Sequence, residues 1–198
     1  MTNKIIGIDP DTKKSGVCIA QMDASGKITH TLGNYTLSEL DALMRQFHKE
    51  GVTPDVYVEN SWIDALQRPI PLYHSKNASE AAKIATAKRV GACHEVGKQL
   101  FKMIDAIYGE GFTKPYYTND GKRTRNPKWS QDTYRWRCLS LGLVPFERTN
   151  QDSRDALRCI YNAIDIMRIE YKRNLRRKDP LNLSSTPNVS KPSAPSEA

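Results

Sequence analysis

Three strand-like runs lie within the first 35 residues, too close together for anything but antiparallel pairing. Residues 4–8 are rich in isoleucine, residues 17–21 are apolar, and residues 27–35 mix Ile28, Thr29, Thr31, Leu32 and Tyr35. Gly16 and the stretch Asp23-Ala-Ser-Gly26 supply the turns between them. Parallel neighbours need a crossover of about a dozen residues or more, so this opening reads as a meander.

The rest of the chain adds helices and two more strands to that meander. Leu40, Leu43, Met44 and Phe47 recur at i, i+3, i+4 and i+7, which predicts a helix capped by Ser38, with Asp41 completing a capping-box variant and Gly51 ending it. The run DVYVE at 55–59 is a short buried strand. A helix between strands makes a right-handed crossover, so this strand should run parallel to an earlier one. Residues 60–76 form a loop with Pro69 and Pro71. A long helix is expected over 78–107, with Ala81, Ala82, Ile84, Ala85, Val90, Val96, Leu100, Ile104 and Ile107 as its buried stripe and Gly91 admitting a close neighbour. A fifth strand over 113–118 is weakened by Pro115. A polar, basic segment spans 119–128. Two further helices begin near Ser130 and Asn150, the second continuing through Ala156, Leu157, Ile160, Ala163, Ile164 and Met167. The order βββ-α-β-α-β-α-α predicts an α/β domain over 1–178, a mixed five-stranded sheet with helices on both faces. From residue 179 the chain turns to Pro, Ser and Asn, and a tail over 179–198 is expected to be disordered.

Charge and cysteine usage narrow the function classes. With 30 Lys+Arg against 22 Asp+Glu, the formal charge is +8, which suits a polyanionic partner, either nucleic acid or an acidic membrane surface. Cys18, Cys93, Cys138 and Cys159 form no C-x-x-C pair, so neither a zinc site nor a disulfide frame is indicated. No apolar run is of signal-peptide or membrane-spanning kind, and a reducing cytoplasm is the expected setting.

The acidic residues carry the chemistry. Asp9 closes the first strand, and Pro10 biases it toward extended geometry. Glu59 ends DVYVE in the same way. If the two strands are parallel neighbours, both carboxylates emerge at one sheet edge, where open α/β sheets bind ligands. Asp152 and Asp155 are three residues apart, on one face of the last helix near its start. Taken singly, each has an ordinary explanation as a turn former or a partner of the helix dipole. Together, gathered carboxylates repel unless cations neutralise them. Oxygen donors without Cys or His suit Mg²⁺ or Mn²⁺, and two such ions can drive phosphodiester hydrolysis.

These residues also carry a family resemblance. IIGIDPDTKKSG resembles the opening G-I-D-P-G-x-x-x-x-G motif of RuvC-type Holliday-junction resolvases, VYVEN their second acidic motif, and DSRDAL their closing motif. The resemblance implies a ribonuclease-H-like fold and a crossover junction endodeoxyribonuclease. Asp9, Glu59, Asp152 and Asp155 match the family's metal-binding carboxylates, each centre holding two Mg²⁺ ions for which Mn²⁺ substitutes. It further implies a homodimer that resolves four-way junctions by paired nicks. Asp11 stands where the family has Gly, 119–128 looks like an insertion, and Trp129-Ser130 replaces the family's frequent Trp-Lys.

For DNA contact, Lys122, Arg123, Arg125, Lys128, Arg135 and Arg137 gather positive charge, with Tyr116, Tyr117, Trp129, Tyr134 and Trp136 interleaved as stacking surfaces. Trp136 reads better as a core residue of its helix. Trp62, Arg68 and Lys76 lie in the loop after Glu59. The resemblance implies that an aromatic of this loop, here Trp62, wedges into the junction; burial of the loop's apolar residues between subunits is the alternative. Three competing readings stay open. An actin-like kinase shares I-G-I-D but needs a second phosphate motif that is missing. A 3′–5′ exonuclease would use Asp9, Asp11, Tyr161 and Asp165. A non-catalytic junction-binding protein would keep the fold without the chemistry.

Overall fold

The computed structural model describes residues 3–60, 79–116 and 128–178. Strands β1 (Asn3–Asp9), β2 (Ser15–Met22) and β3 (Ile28–Tyr35) form the expected meander. Helix α1 (Leu37–Lys49) crosses to β4 (Asp55–Glu59), which pairs parallel to β1. Helix α2 (Glu80–Tyr108) leads to β5 (Lys114–Tyr116), parallel to β4. Helices α3 (Gln131–Ser140) and α4 (Gln151–Lys178) complete the domain. The sheet order is β3-β2-β1-β4-β5, with the first three strands antiparallel and the last two parallel to β1. The chain therefore has the ribonuclease-H-like arrangement.

Two apolar layers cover the sheet. Ile6, Ile8, Val17, Val56 and Val58 pack with Leu40, Met44 and Phe47 of α1 and Leu100 and Ile104 of α2. Ile5, Cys18, Ala20, Met22 and Ile28 face the other way, onto Tyr134 and Cys138 of α3 and Leu157, Ile160 and Ile164 of α4. The alternation along β1 is the period-2 rule at work: even residues face α1 and α2, odd ones face α4.

The structure corrects several of the expectations. The cap of α1 is Thr36 rather than Ser38. Its hydroxyl accepts from the Glu39 N–H at 3.3 Å, and the Glu39 carboxylate accepts from the Thr36 N–H at 2.7 Å, a reciprocal box that Asp41 does not join. Asp41 instead pairs with Arg45 one turn on. In α2 only Gly97, Leu100 and Ile104 are buried, while Ala81, Ala82, Ile84 and Ala85 are exposed and Val90, Val96 and Ile107 half-buried. A helix of 29 residues is about 44 Å long, longer than the strands it covers, so only its second half reaches the sheet. Gly91 has open space above it. Trp136 is 60% exposed, so it is not a core residue. Tyr134 is the reverse case: it is fully buried and offers no stacking surface, and its hydroxyl meets His30 and accepts from the Phe146 N–H. No described helix is long and apolar enough to cross a membrane. The four cysteines are free thiols, three of them buried.

A candidate acidic centre

Asp9 and Glu59 end adjacent parallel strands. The register pairs Ile8 with Val58, so the next residues stand side by side at the same sheet edge. Parity then decides which face they use. Ile6, Ile8, Val56 and Val58 belong to the α1–α2 layer, which sends Asp9 and Glu59 toward α4.

Helix α4 comes unusually close there. Asn150 caps it, its side-chain oxygen accepting from the Ser153 N–H at 2.8 Å. A Cβ on Gly7 would lie 2.1 Å from the Ala156 carbonyl oxygen, and one on Gly16 would lie 2.3 Å from the Asp152 backbone. Only glycine permits this approach. It brings Asp155, 1% exposed, down onto the ends of β1 and β4.

Three carboxylates from three elements thus converge. Burial, reinforced by Glu59 and Asp155 and by a hydrogen bond shared with Glu59, pushes Asp9 well above the usual carboxylate range. Burial raises Glu59 too, against the pull of Arg158 and of its hydrogen bond with Asp9. Asp152 stands at the rim. Burial first, then the nearby Asp11, raises its carboxyl, with Lys128 opposing and Asp155 adding to the shift. Asp11 itself is a turn former, accepting from the Lys13 N–H at 3.2 Å.

Among the described residues, two cations form ion pairs with the central acids, and Arg89 acts on Asp152 at the rim. Lys128 Nζ lies 3.5 Å from Asp155 Oδ2, with its side chain 67% exposed. Its sequence position suggests a phosphate contact; the structure adds that it pairs with Asp155. Arg158 appears in none of the sequence motifs. It is 6% exposed, with Nη2 3.2 Å from Glu59 Oε2 and Nη1 3.5 Å from Asp155 Oδ1. Burial works to lower its pKa, but Glu59 and Asp155 outweigh that and hold its guanidinium above the usual range. One sequence signal does point to it: an arginine inside the apolar run Ala156–Ile160, on the buried stripe. Arg154, which lies inside DSRDAL but carries no role in that motif, ties α4 to the start of α3, donating to the Trp129 carbonyl at 2.8 Å and the Thr149 carbonyl at 2.6 Å.

The donor set suits a hard divalent cation in type: carboxylate oxygens gathered closely enough that Glu59 and Asp155 add to the rise of Asp9. Cys159 does not compete, since its thiol is buried and donates to the Asp155 carbonyl at 3.3 Å. Among the described residues, no three Asp, Glu, His or Cys side chains already stand in ligand geometry. Arg158 instead engages two of the three central acids.

The other residues singled out fall elsewhere. Trp62, Arg68, Lys76, Lys122, Arg123 and Arg125 lie outside the described residues, as do the segment 119–127 and the tail 179–198. Asp165 is exposed and pairs with Arg168 at 3.9 Å, ten residues and about 15 Å along α4 from Asp155. Tyr161 meets Ser140 at 2.9 Å. Neither reaches the acidic centre.

No protein-family model matches the chain, and no curated protein does. Solved structures do. T. thermophilus RuvC in complex with Holliday junction substrate has 12% identity, covering 84% of this chain and 95% of that one, with a TM-score of 0.42. The yeast mitochondrial Holliday junction resolvase has 15% identity over 89% of this chain and 84% of its own, TM-score 0.44. A second Thermus thermophilus RuvC structure has 14% identity, 87% and 97% coverage, and a TM-score of 0.39. These are likenesses of fold alone.

Proposed function

We propose that this protein is a metal-dependent endonuclease that hydrolyses phosphodiester bonds in branched DNA, with four-way junctions as its preferred substrate. One observation carries the reading: Asp9, Glu59 and Asp155 leave three different elements and meet at one sheet edge, at the cost of raised pKa values for Asp9 and Glu59. Buried acids of this kind are expensive to assemble for structure alone. The motif resemblance supplies the substrate class, the homodimer and the paired nicks, and the charge of +8 suits a DNA partner.

Asp9, Glu59 and Asp155 would hold Mg²⁺ or Mn²⁺, with Asp152 completing the set from the rim. The ion would supply charge neutralisation at phosphorus and a water made more nucleophilic. The chain's own contribution is to orient these oxygens. Parallel pairing fixes Asp9 beside Glu59, the glycine contacts fix the height of Asp155, and Gln151 steadies Asp155 through a hydrogen bond of 3.0 Å. Lys128 stands at the exposed mouth of the centre, where it can meet a phosphate. Within this reading, residues 1–178 form the nuclease domain and 179–198 a tail. An exonuclease built on Tyr161 and Asp165 is disfavoured by their distance from the acids.

The test compares wild type with Asp9→Asn on four-way, three-way, flap and linear duplex DNA in Mg²⁺. Wild type should nick the branched substrates in preference. Asp9→Asn should lose cleavage by at least about a hundredfold while retaining junction binding. Normal cleavage by Asp9→Asn, or cleavage of linear duplex alone, would sink the assignment.

A further inference from the structure

Arg158 belongs to none of the motifs that lead to the acidic centre, and its setting is costly. It interrupts the apolar run Ala156–Ile160, between Leu157 and Cys159, on the side of α4 that packs against the sheet. Burying a guanidinium costs several kcal/mol unless its charge is matched and its donors are used. The charge is matched here, by Glu59 from β4 and by Asp155 from its own helix. The donors are poorly used. The contact to Glu59 is a hydrogen bond of 3.2 Å, the contact to Asp155 is long at 3.5 Å, and Nε is buried without a partner.

A purely structural arginine would be expected to grip one carboxylate with both prongs of its fork. This one is shared between two acids and satisfies neither fully, an arrangement that serves charge better than hydrogen bonding. Nor is another cation equivalent. Lys128 reaches Asp155 from the solvent side with most of its side chain in water, where screening weakens the pair. Among the described residues, Arg158 is the buried cation facing these carboxylates.

We propose that Arg158 is a resident counter-cation of the acidic centre: it holds Glu59 and Asp155 in place when no divalent ion is bound, and competes with that ion for the same two carboxylates. The inference rests on the metal-centre reading above. A guanidinium and a divalent ion repel, and both need the same oxygen lone pairs. Ion entry therefore requires Arg158 to give up at least one contact. The consequence is a centre that keeps its shape unloaded and binds its ion less tightly than the acids alone would.

Two measurements on the full chain test this: Mn²⁺ titration by calorimetry after metal removal, and thermal unfolding in EDTA and in excess Mn²⁺. Arg158→Gln should tighten Mn²⁺ binding about tenfold, a gain of about 1.4 kcal/mol. It should also unfold at a lower temperature than wild type in EDTA, with the gap closing in Mn²⁺. Arg158→Lys, which keeps the charge, should stay close to wild type in both. Unchanged or weaker Mn²⁺ binding by Arg158→Gln would overturn the proposal while leaving the metal centre standing, as would identical behaviour of the Gln and Lys variants. Failure of Arg158→Gln to fold even in Mn²⁺ would overturn it too. If neither wild type nor Arg158→Gln binds Mn²⁺, this proposal and the metal reading fall together.

Discussion

The two faces of the sheet are built to different rules. On the α1–α2 face, Ile6, Ile8, Val17, Val56 and Val58 meet Leu40, Met44, Phe47, Leu100 and Ile104, an interior of interdigitated apolar side chains. On the α3–α4 face, comparable packing around Leu157 and Ile160 gives way at one end to Asp9, Glu59, Asp155 and Arg158, and the helix rests on backbone instead of side chains at Gly7 and Gly16. The first face is held by area removed from water, which tolerates small shifts. The second must hold charged groups at fixed separations, and a glycine contact has no side chain to give way. One sheet thus separates apolar packing from the charged centre.

That contrast can be tested by disturbing each face in turn. Leu100→Ala, in the apolar face, should cost about 2–5 kcal/mol of stability, read by urea unfolding. The nuclease rate of the folded fraction should be almost unchanged. Gly7→Ala should also cost stability, about 1–3 kcal/mol or more from overpacking, because its Cβ would meet the Ala156 backbone. It should lower the cleavage rate of the folded fraction far more than Leu100→Ala does, because it lifts Asp155 away from Asp9. If both variants lose rate in proportion to stability, the division between the faces is wrong.

A smaller effect should appear with pH. His30 lies on the α3–α4 face, 3.1 Å from the Tyr134 hydroxyl, and burial lowers its pKa from 6.5 to about 4. Between those values the unfolded imidazole takes up a proton that the folded one refuses, so the stability His30 contributes falls as pH drops through this window and levels off below it. Asp9 and Glu59, raised in the fold, act in the opposite sense. The His30 part is therefore read as the difference between wild type and His30→Asn: roughly 1–2 kcal/mol lost between pH 7 and pH 5, measured by urea unfolding. The smallest effect belongs to Asp165→Ala. Its side chain is exposed on α4 far from the acids, and cleavage should be unaltered. Loss of activity there would revive the exonuclease reading.

Much of this arrangement is readable from the order of residues. The short connections before Tyr35 leave no option but a meander, and the crossover through Leu40, Met44 and Phe47 makes β4 parallel to an earlier strand, which the structure identifies as β1. The placing of Asp9 and Glu59 at strand ends is equally plain, because strand periodicity and Pro10 are local properties. Trp136 is not legible in this way. An aromatic in a helix is buried only if a neighbour covers it, and here the Arg137 guanidinium packs 4.8 Å from the ring and leaves most of it in water. The exposed first half of α2 escapes for a related reason, since an Ala-rich stripe does not state how far the sheet extends beneath it.

Chain order alone established the opening meander, that the fourth strand runs parallel to an earlier one and which acids stand at strand ends, because dihedral preferences and periodicity act over a few residues. It could not establish that Arg158 and Lys128 would meet those acids, or that Asp152 would stay at the rim. Those outcomes depend on the height and rotation at which α4 settles on Gly7 and Gly16. Electrostatic partners separated by 99 residues, as Arg158 and Glu59 are, find each other only once the packing of the whole domain has brought them within a few ångströms.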